Sequence, residues 1–264
     1  MNDWMVFLMT GCVAGLLAGL FGVGGGMIMV PALIIVLGSQ GVPSEILVHV
    51  ALGTSLAVIA VTSISSSLSH HRRGGVCWPL LKVYGPALAV GALLGAFVAD
   101  QLPGAFLKRL VGVSSLLIAL QMALNYKFGA LEDLRPPQAK ELAGAGGIFG
   151  LLSSLIGIGG GSLTAPYLAL RGIEMRQSVG TAAAGGVPIA WAGAAGYIWT
   201  GWGVSGVPAP ALGYVSGSGF ILLAIASTLC APLGARLAHS LSPRNLQLAF
   251  AAMLSVIGVH MLSA

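Results

Sequence analysis

The groups with the plainest chemical use in this sequence are backbone amides. Gly22, Gly24, Gly25 and Gly26 make a G-x-G-G-G run, and Gly157, Gly159, Gly160 and Gly161 make a second one. Each run lies between an apolar, helix-like stretch and a shorter apolar stretch, so each breaks one helix and opens another. The first N–H groups of a helix have no intrahelical carbonyl and sit at the positive end of its dipole, an arrangement suited to an anion. Glycine has no Cβ, so a ligand can approach the peptide nitrogens closely. Ser162 and Thr164 add hydroxyls beside the second run, where Met27 and Met29 stand beside the first. The implied site is therefore asymmetric and takes a small anion. A second doubled motif follows each break, Gly53-Thr54-Ser55 and Gly180-Thr181-Ala182. Its hydroxyls either bond back to helix backbone or face a cavity.

No side-chain set for catalysis, metal or cofactor stands out. Cys12, Cys77 and Cys230 are widely separated, lie in or beside apolar runs and show neither metal-ligand spacing nor a disulfide framework. No H-E-x-x-H or G-x-S-x-G is present, which argues against an intramembrane enzyme. GVGGGM lacks the third glycine of a dinucleotide fingerprint, and no G-x-x-x-x-G-K-[ST] loop points to ATP.

The two breaks belong to longer copies. Gly15 to Pro31 and Gly150 to Pro166 align without a gap at an offset of 135 (150 − 15), with nine of 17 positions identical. A pair of glycine-interrupted apolar segments at corresponding places in two halves marks a transporter binding site. Three successive glycines cost a helix roughly 1 kcal/mol each. Non-helical backbone at membrane depth survives only inside protein or along a watery cavity.

The composition requires a membrane. Of 264 residues, 56% are hydrophobic and 7% charged, and the mean hydropathy is +0.95; a soluble domain carries about 25% charged residues. The apolar runs are continuous rather than alternating, which excludes a barrel. Small-xxx-small spacings at Gly11-Gly15-Gly19, Gly91-Gly95, Gly146-Gly150 and Gly213-Gly217 suit close helix packing. The net charge of +5 does not indicate nucleic acid, because the basic residues fall in short loops. MNDWM has no Lys or Arg before the first run, unlike a cleavable signal peptide.

The expected fold is all-α and integral to the membrane. Apolar runs lie at about 4–21 and 27–38, then at about 46–69, 77–100 and 105–125. After a polar linker come runs at about 142–156 and 162–171, then at about 177–200, 210–238 and 244–263. The halves are 1–126 and 142–264, joined by a cytoplasmic linker at 127–141, within a single structural domain. A span needs about 20 residues, so the short runs after the breaks read as re-entrant helices. Cytoplasmic loops collect Lys and Arg. If each broken pair returns to the side it entered from, ten of the 12 basic residues fall inside, leaving only Lys108 and Arg109 outside. If each pair crosses, the split is six to six. The first arrangement places both termini outside and makes the halves antiparallel. The expectation is two inverted-topology repeats, each a glycine-broken re-entrant hairpin plus three transmembrane helices.

The G-x-G-G-G-x4-P repeats, the following Gly-Thr-Ser and the basic loop His70-His71-Arg72-Arg73-Gly74 together resemble the sulfite exporter TauE/SafE family over nearly the whole chain. The resemblance implies a cytoplasmic-membrane transporter of sulfur-containing oxyanions or organosulfonates, working outward. It carries the substrate path onto the glycine breaks with Pro31 and Pro166, and onto Thr54, Ser55 and Thr181. Ala182 stands where a symmetric ring would place a second hydroxyl opposite Ser55. An anion channel, or a membrane scaffold that helps assemble another complex, is the alternative. The partners expected are the small anion and the lipid bilayer; a homo-oligomer stays open. Glu45 and His49, four apart, share a helix face and either relay a proton or simply sit at the interface.

Overall fold

The computed structural model describes residues 3–21, 26–124, 137–238 and 243–263. The first half holds α1 (Asp3–Phe21), α2 (Gly26–Ser39), α3 (Ser44–Arg72), α4 (Trp78–Asp100) and α5 (Gly104–Leu124). The second holds α6 (Ala139–Ile156), α7 (Gly161–Leu170), α8 (Met175–Thr200), α9 (Gly217–Ala238) and α10 (Pro243–Ser263). The breaks expected at Gly22–Gly26 and Gly157–Gly161 thus separate helices, and α2 and α7 are the short ones. Gly22, Gly24 and Gly25 lie outside the described residues, as does most of the expected linker; α6 already begins within the end of that linker.

One expectation changes. The run read as helix from 210 starts its helix only at Gly217. Before it, β1 (Ala211–Leu212) pairs antiparallel with β2 (Val215–Ser216). Pro208, Pro210 and Gly213 stop a helix here despite the apolar composition, and Gly213 turns the hairpin at φ +56°. Gly213 and Gly217 therefore do not form a ridge on one helix.

Four helices among the described residues, α3, α4, α5 and α6, are long and apolar enough to cross a membrane. The molecule is dressed for lipid: Val90, Leu94, Leu117, Trp199 and Leu229 are exposed, whereas Thr54, Ser55, Ser153, Ser154 and Thr181 are buried. Water-facing folds do the reverse.

Helices of one half pack on helices of the other. α1 lies along α9 and α6 along α4, while α3 lies on α8 and α5 on α10. The contacts are matched residue for residue. A methyl group at Gly11 would meet Ala226 and Leu223, and one at Gly146 would meet Ala87 and Tyr84. Gly15 faces Ser227 backbone and Gly150 faces Leu88 backbone. The same offset, 135, relates the glycines of each pair, and a second offset, 139, relates their targets (226 − 87, 223 − 84 and 227 − 88). Small residues let these backbones touch.

The loops gather at two ends. At one, Arg176 donates to the Arg73 carbonyl, Arg171 pairs with Glu141 at 3.2 Å, and Arg244 donates to the carbonyls of Met122 and Ala123. At the other, Gly206 approaches Pro43 and Gly104 approaches the Glu45 carbonyl. Thus α8 begins where α3 ends and finishes where α3 begins. The Arg171–Glu141 pair also joins the end of α7 to the start of α6, so this broken hairpin returns to the end it left.

Candidate site where the broken helices meet

The second break is built from two left-handed glycines. Gly157 closes α6 at φ +75°, and both its N–H and that of Ile158 turn back to the Ser153 carbonyl. Gly160 stands ahead of α7 at φ +72°, and its carbonyl accepts from Leu163 and Thr164. Side chains with a Cβ strain at such angles, which explains why these two places are glycine. The four-residue link 157–160 is wholly buried.

The first half grips this link. A methyl at Gly26, the first residue of α2, would stand 2.6 Å from the Gly157 carbonyl oxygen. Ser55 Oγ, on α3, donates to that same carbonyl at 3.1 Å. Gly159 lies against Ile59 of α3 and Gly186 of α8. The structure therefore brings together Gly26, Ser55, Gly157, Gly159, Gly160 and Gly161, drawn from both halves.

Donors remain at this place. α7 has ten residues, and a helix leaves its first N–H groups without intrahelical partners. Space opens at Gly161, where an added methyl would meet nothing within 4 Å. Ser162 Oγ is buried without a partner, and so are Ser153 Oγ and Ser154 Oγ in the last turn of α6. Ser153 Oγ lies 3.3 Å from where a Gly160 methyl would be. A buried hydroxyl without a partner is costly, and buried polar groups normally find one. Ser153 and Ser154 escape a sequence reading because they look like small residues in an apolar helix. The signal that could have marked them is the first half, which has Ala18 and Gly19 in the matching places.

The other hydroxyls are engaged. Thr164 shares a 3.2 Å hydrogen bond with Tyr84 of α4. Thr54 Oγ1 accepts the Ser216 N–H at 3.0 Å, just ahead of α9. Thr181 Oγ1 accepts the Cys77 N–H at 2.9 Å, just ahead of α4. The glycine before each threonine clears the carbonyl two residues before the clasped amide: Gly53 meets Tyr214, and Gly180 meets Gly75. The doubled Gly-Thr motif is thus a pair of latches, each holding the start of a helix from the other half. Both threonines keep their own O–H hydrogens, whereas Ser55 uses its hydrogen on Gly157.

Glycine-broken helices meeting inside an apolar helical shell define a multi-pass membrane protein with a polar interior. The chain belongs to the sulfite exporter TauE/SafE family, a family of membrane transporters, whose model matches residues 7–261. It is 31% identical over 257 residues to a Haemophilus influenzae protein named as a probable membrane transporter, covering 97% of each chain. A protein of Methanocaldococcus jannaschii with the same kind of name is 28% identical over 264 residues, covering 97% of this chain and 94% of its own. One from Bacillus subtilis, again named as a probable membrane transporter, is 28% identical over 273 residues. No solved structure matches.

Proposed function

We propose that this transporter is a secondary carrier of small oxyanions of sulfur, namely sulfite, thiosulfate or organosulfonates, and that it exports them across the cytoplasmic membrane by alternating access. The observation that carries the reading is the open space at the start of α7. It combines free amides, the positive helix end and the partnerless hydroxyls of Ser153 and Ser162. These are all donors, and an oxyanion is all acceptor. No Lys, Arg, Asp or Glu lies in the sequence from Leu142 to Leu170 that carries the second break, so recognition there rests on dipoles that bind without trapping. Gly22, Gly24 and Gly25, which lie outside the described residues, are the first-half contribution that the sequence repeat leads us to propose. Thr54, Thr181 and Thr164 line its approaches.

The matched contacts between halves and the antiparallel run of α3 and α8 support two inverted repeats. The Arg171–Glu141 pair supports a re-entrant second hairpin. The end that gathers Arg73, Arg171, Arg176 and Arg244 is cytoplasmic by its charge, and both termini lie outside. Rocking one set of helices against the other then exposes the break to each side in turn.

The test is flux of radiolabelled sulfite and thiosulfate in proteoliposomes. Wild type takes up label with saturation and shows counterflow. Ser162→Ala and Ser153→Ala each slow uptake about tenfold, the effect of one lost hydrogen bond to a charged group. Saturation without counterflow would favour a channel, and no flux of any oxyanion would favour a scaffold.

A further inference from the structure

We propose that His49 is the proton-binding site of this carrier, so that the anion moves together with a proton. The inference rests on the transporter reading above. His49 lies in the second turn of α3 and is 5% exposed. Its Nε2 is 3.0 Å from the Ala99 carbonyl at the end of α4. A carbonyl only accepts, so Nε2 carries the hydrogen. Nδ1 is then a bare lone pair, buried and without a partner. Histidine is the side chain whose charge changes near neutral pH, and ionisable groups inside a membrane protein mark relays and ion pathways.

The surroundings give a proton on Nδ1 something to do. The imidazole stacks on Tyr214, ring centres 5.3 Å apart at 29°. Tyr214 donates its O–H to Asp100 Oδ1 at 3.1 Å. Protonation makes His49 a cation that needs an acceptor, and Asp100 is the carboxylate that α4 brings to this end. In this structure Asp100 is taken by the Tyr214 hydroxyl, and the Tyr214 ring is what links it to His49. From α8, Tyr197 meets Tyr214 edge-on at 6.5 Å. Its own O–H donates at 3.2 Å to the Ser154 carbonyl, in the last turn of α6 beside the break. His49, Tyr214, Tyr197 and Ser154 form one packed line from the proton site to the anion site. The other charged or titratable groups placed at this end are Glu45, one turn back on α3 and exposed, Lys108 and Arg109 on α5, Asp3 at the start of α1 and His260 near the end of α10.

The second half supplies a comparison. The offset between the two Gly-Thr motifs, 127 (180 − 53), carries His49 onto Arg176 (176 − 49). Arg176 is a permanent cation bonded to the Arg73 carbonyl. Protonating His49 gives the first half the charge that the second half always has. The reaction is only the addition of a proton to Nδ1, and it reverses when the site empties.

The probe is thiosulfate, which holds no proton of its own near neutral pH. Full-length protein is reconstituted with a trapped pH dye. In wild type a thiosulfate gradient moves protons with the anion, and acidification strengthens thiosulfate uptake about tenfold. His49→Gln keeps an N–H for Ala99 but has no titrating nitrogen. It should move thiosulfate without protons and with a flat pH response. Thiosulfate flux without proton movement in wild type overturns the proton site while leaving the transporter reading intact, as does unchanged proton movement in His49→Gln. The ring itself is read by NMR of histidine-labelled protein in detergent, with the His49 signal assigned by its loss in His49→Gln. A signal that never changes protonation across the assay range overturns the proposal whether or not an anion moves.

Discussion

The latches and the breaks are both doubled, yet they differ in how faithfully the two copies agree. In the latches the agreement is nearly complete: glycine clears a carbonyl, threonine accepts an amide, and the clasped strand leads into a helix of the other half. In the breaks the glycines repeat but their neighbours do not. Ser153, Ser154, Ser162 and Thr164 face Ala18, Gly19, Met27 and Met29 in the matching places. Parts that hold the halves together must work twice in the same way. A site that binds one ligand needs its polar groups once. The partnerless hydroxyls of Ser153, Ser154 and Ser162 therefore fall where the copies diverge, while Thr54 and Thr181, satisfied in the same way, fall where they agree.

The largest effect should come from breaking the agreement in packing. Gly150 rests on the Leu88 backbone and Gly15 on the Ser227 backbone. Gly150→Leu and Gly15→Leu each force two helices apart and should cost about 3 kcal/mol, read as loss of monodisperse protein in detergent. Gly147→Ala is the control, since its methyl would meet nothing within 4 Å. If Gly15→Leu is tolerated while Gly150→Leu is not, the two interfaces are unequal in spite of their matched residues.

Next come the latches. Thr54→Val and Thr181→Val remove the acceptor and leave a backbone N–H unpaired, at about 1–3 kcal/mol each. The two should lower the melting temperature alike, and serine at either place should restore it. A smaller change in stability, with a large one in flux, follows at the break. Ser162→Ala removes a partnerless hydroxyl and leaves folding unharmed, yet slows anion uptake about tenfold. Met27→Ser gives the first half the missing hydroxyl and tests whether the asymmetry sets selectivity: the ratio of sulfite to thiosulfate uptake should shift.

Much of this frame was legible in the sequence. The breaks could be placed because three successive glycines outweigh any apolar context, and the hairpin that returns could be argued from where arginines fall. The region ahead of α9 was not legible: Pro210 to Gly217 is apolar enough to pass for a span, and only the pairing of Ala211 with Ser216 reveals a hairpin. The role of Thr54 and Thr181 was also hidden. Their partners lie 162 and 104 residues away, and no local pattern tells an accepted amide from a cavity-facing hydroxyl. Gly22, Gly24 and Gly25, the half of the site that the sequence marks most strongly, lie outside the described residues.

The smallest effect separates the two latches from each other. Offset 139 carries Gly75 onto Tyr214 (214 − 75), so the carbonyl cleared by Gly180 belongs to a glycine and the one cleared by Gly53 to a tyrosine. Burial first, and then the neighbouring Asp100 carboxylate, push the Tyr214 phenol up to about 12. An unfolded tyrosine titrates near 10. A group raised on folding contributes stability that is fully present below the unfolded value and lost as the pH climbs through the folded one. The latch ahead of α9 should therefore weaken between about pH 10 and 12, and the latch ahead of α4 should not. Melting curves across that range should show a loss of stability in wild type that Tyr214→Phe reduces and Thr181→Val preserves. A loss of undiminished size in Tyr214→Phe would assign the alkaline weakness wholly to other groups and leave the two latches equivalent.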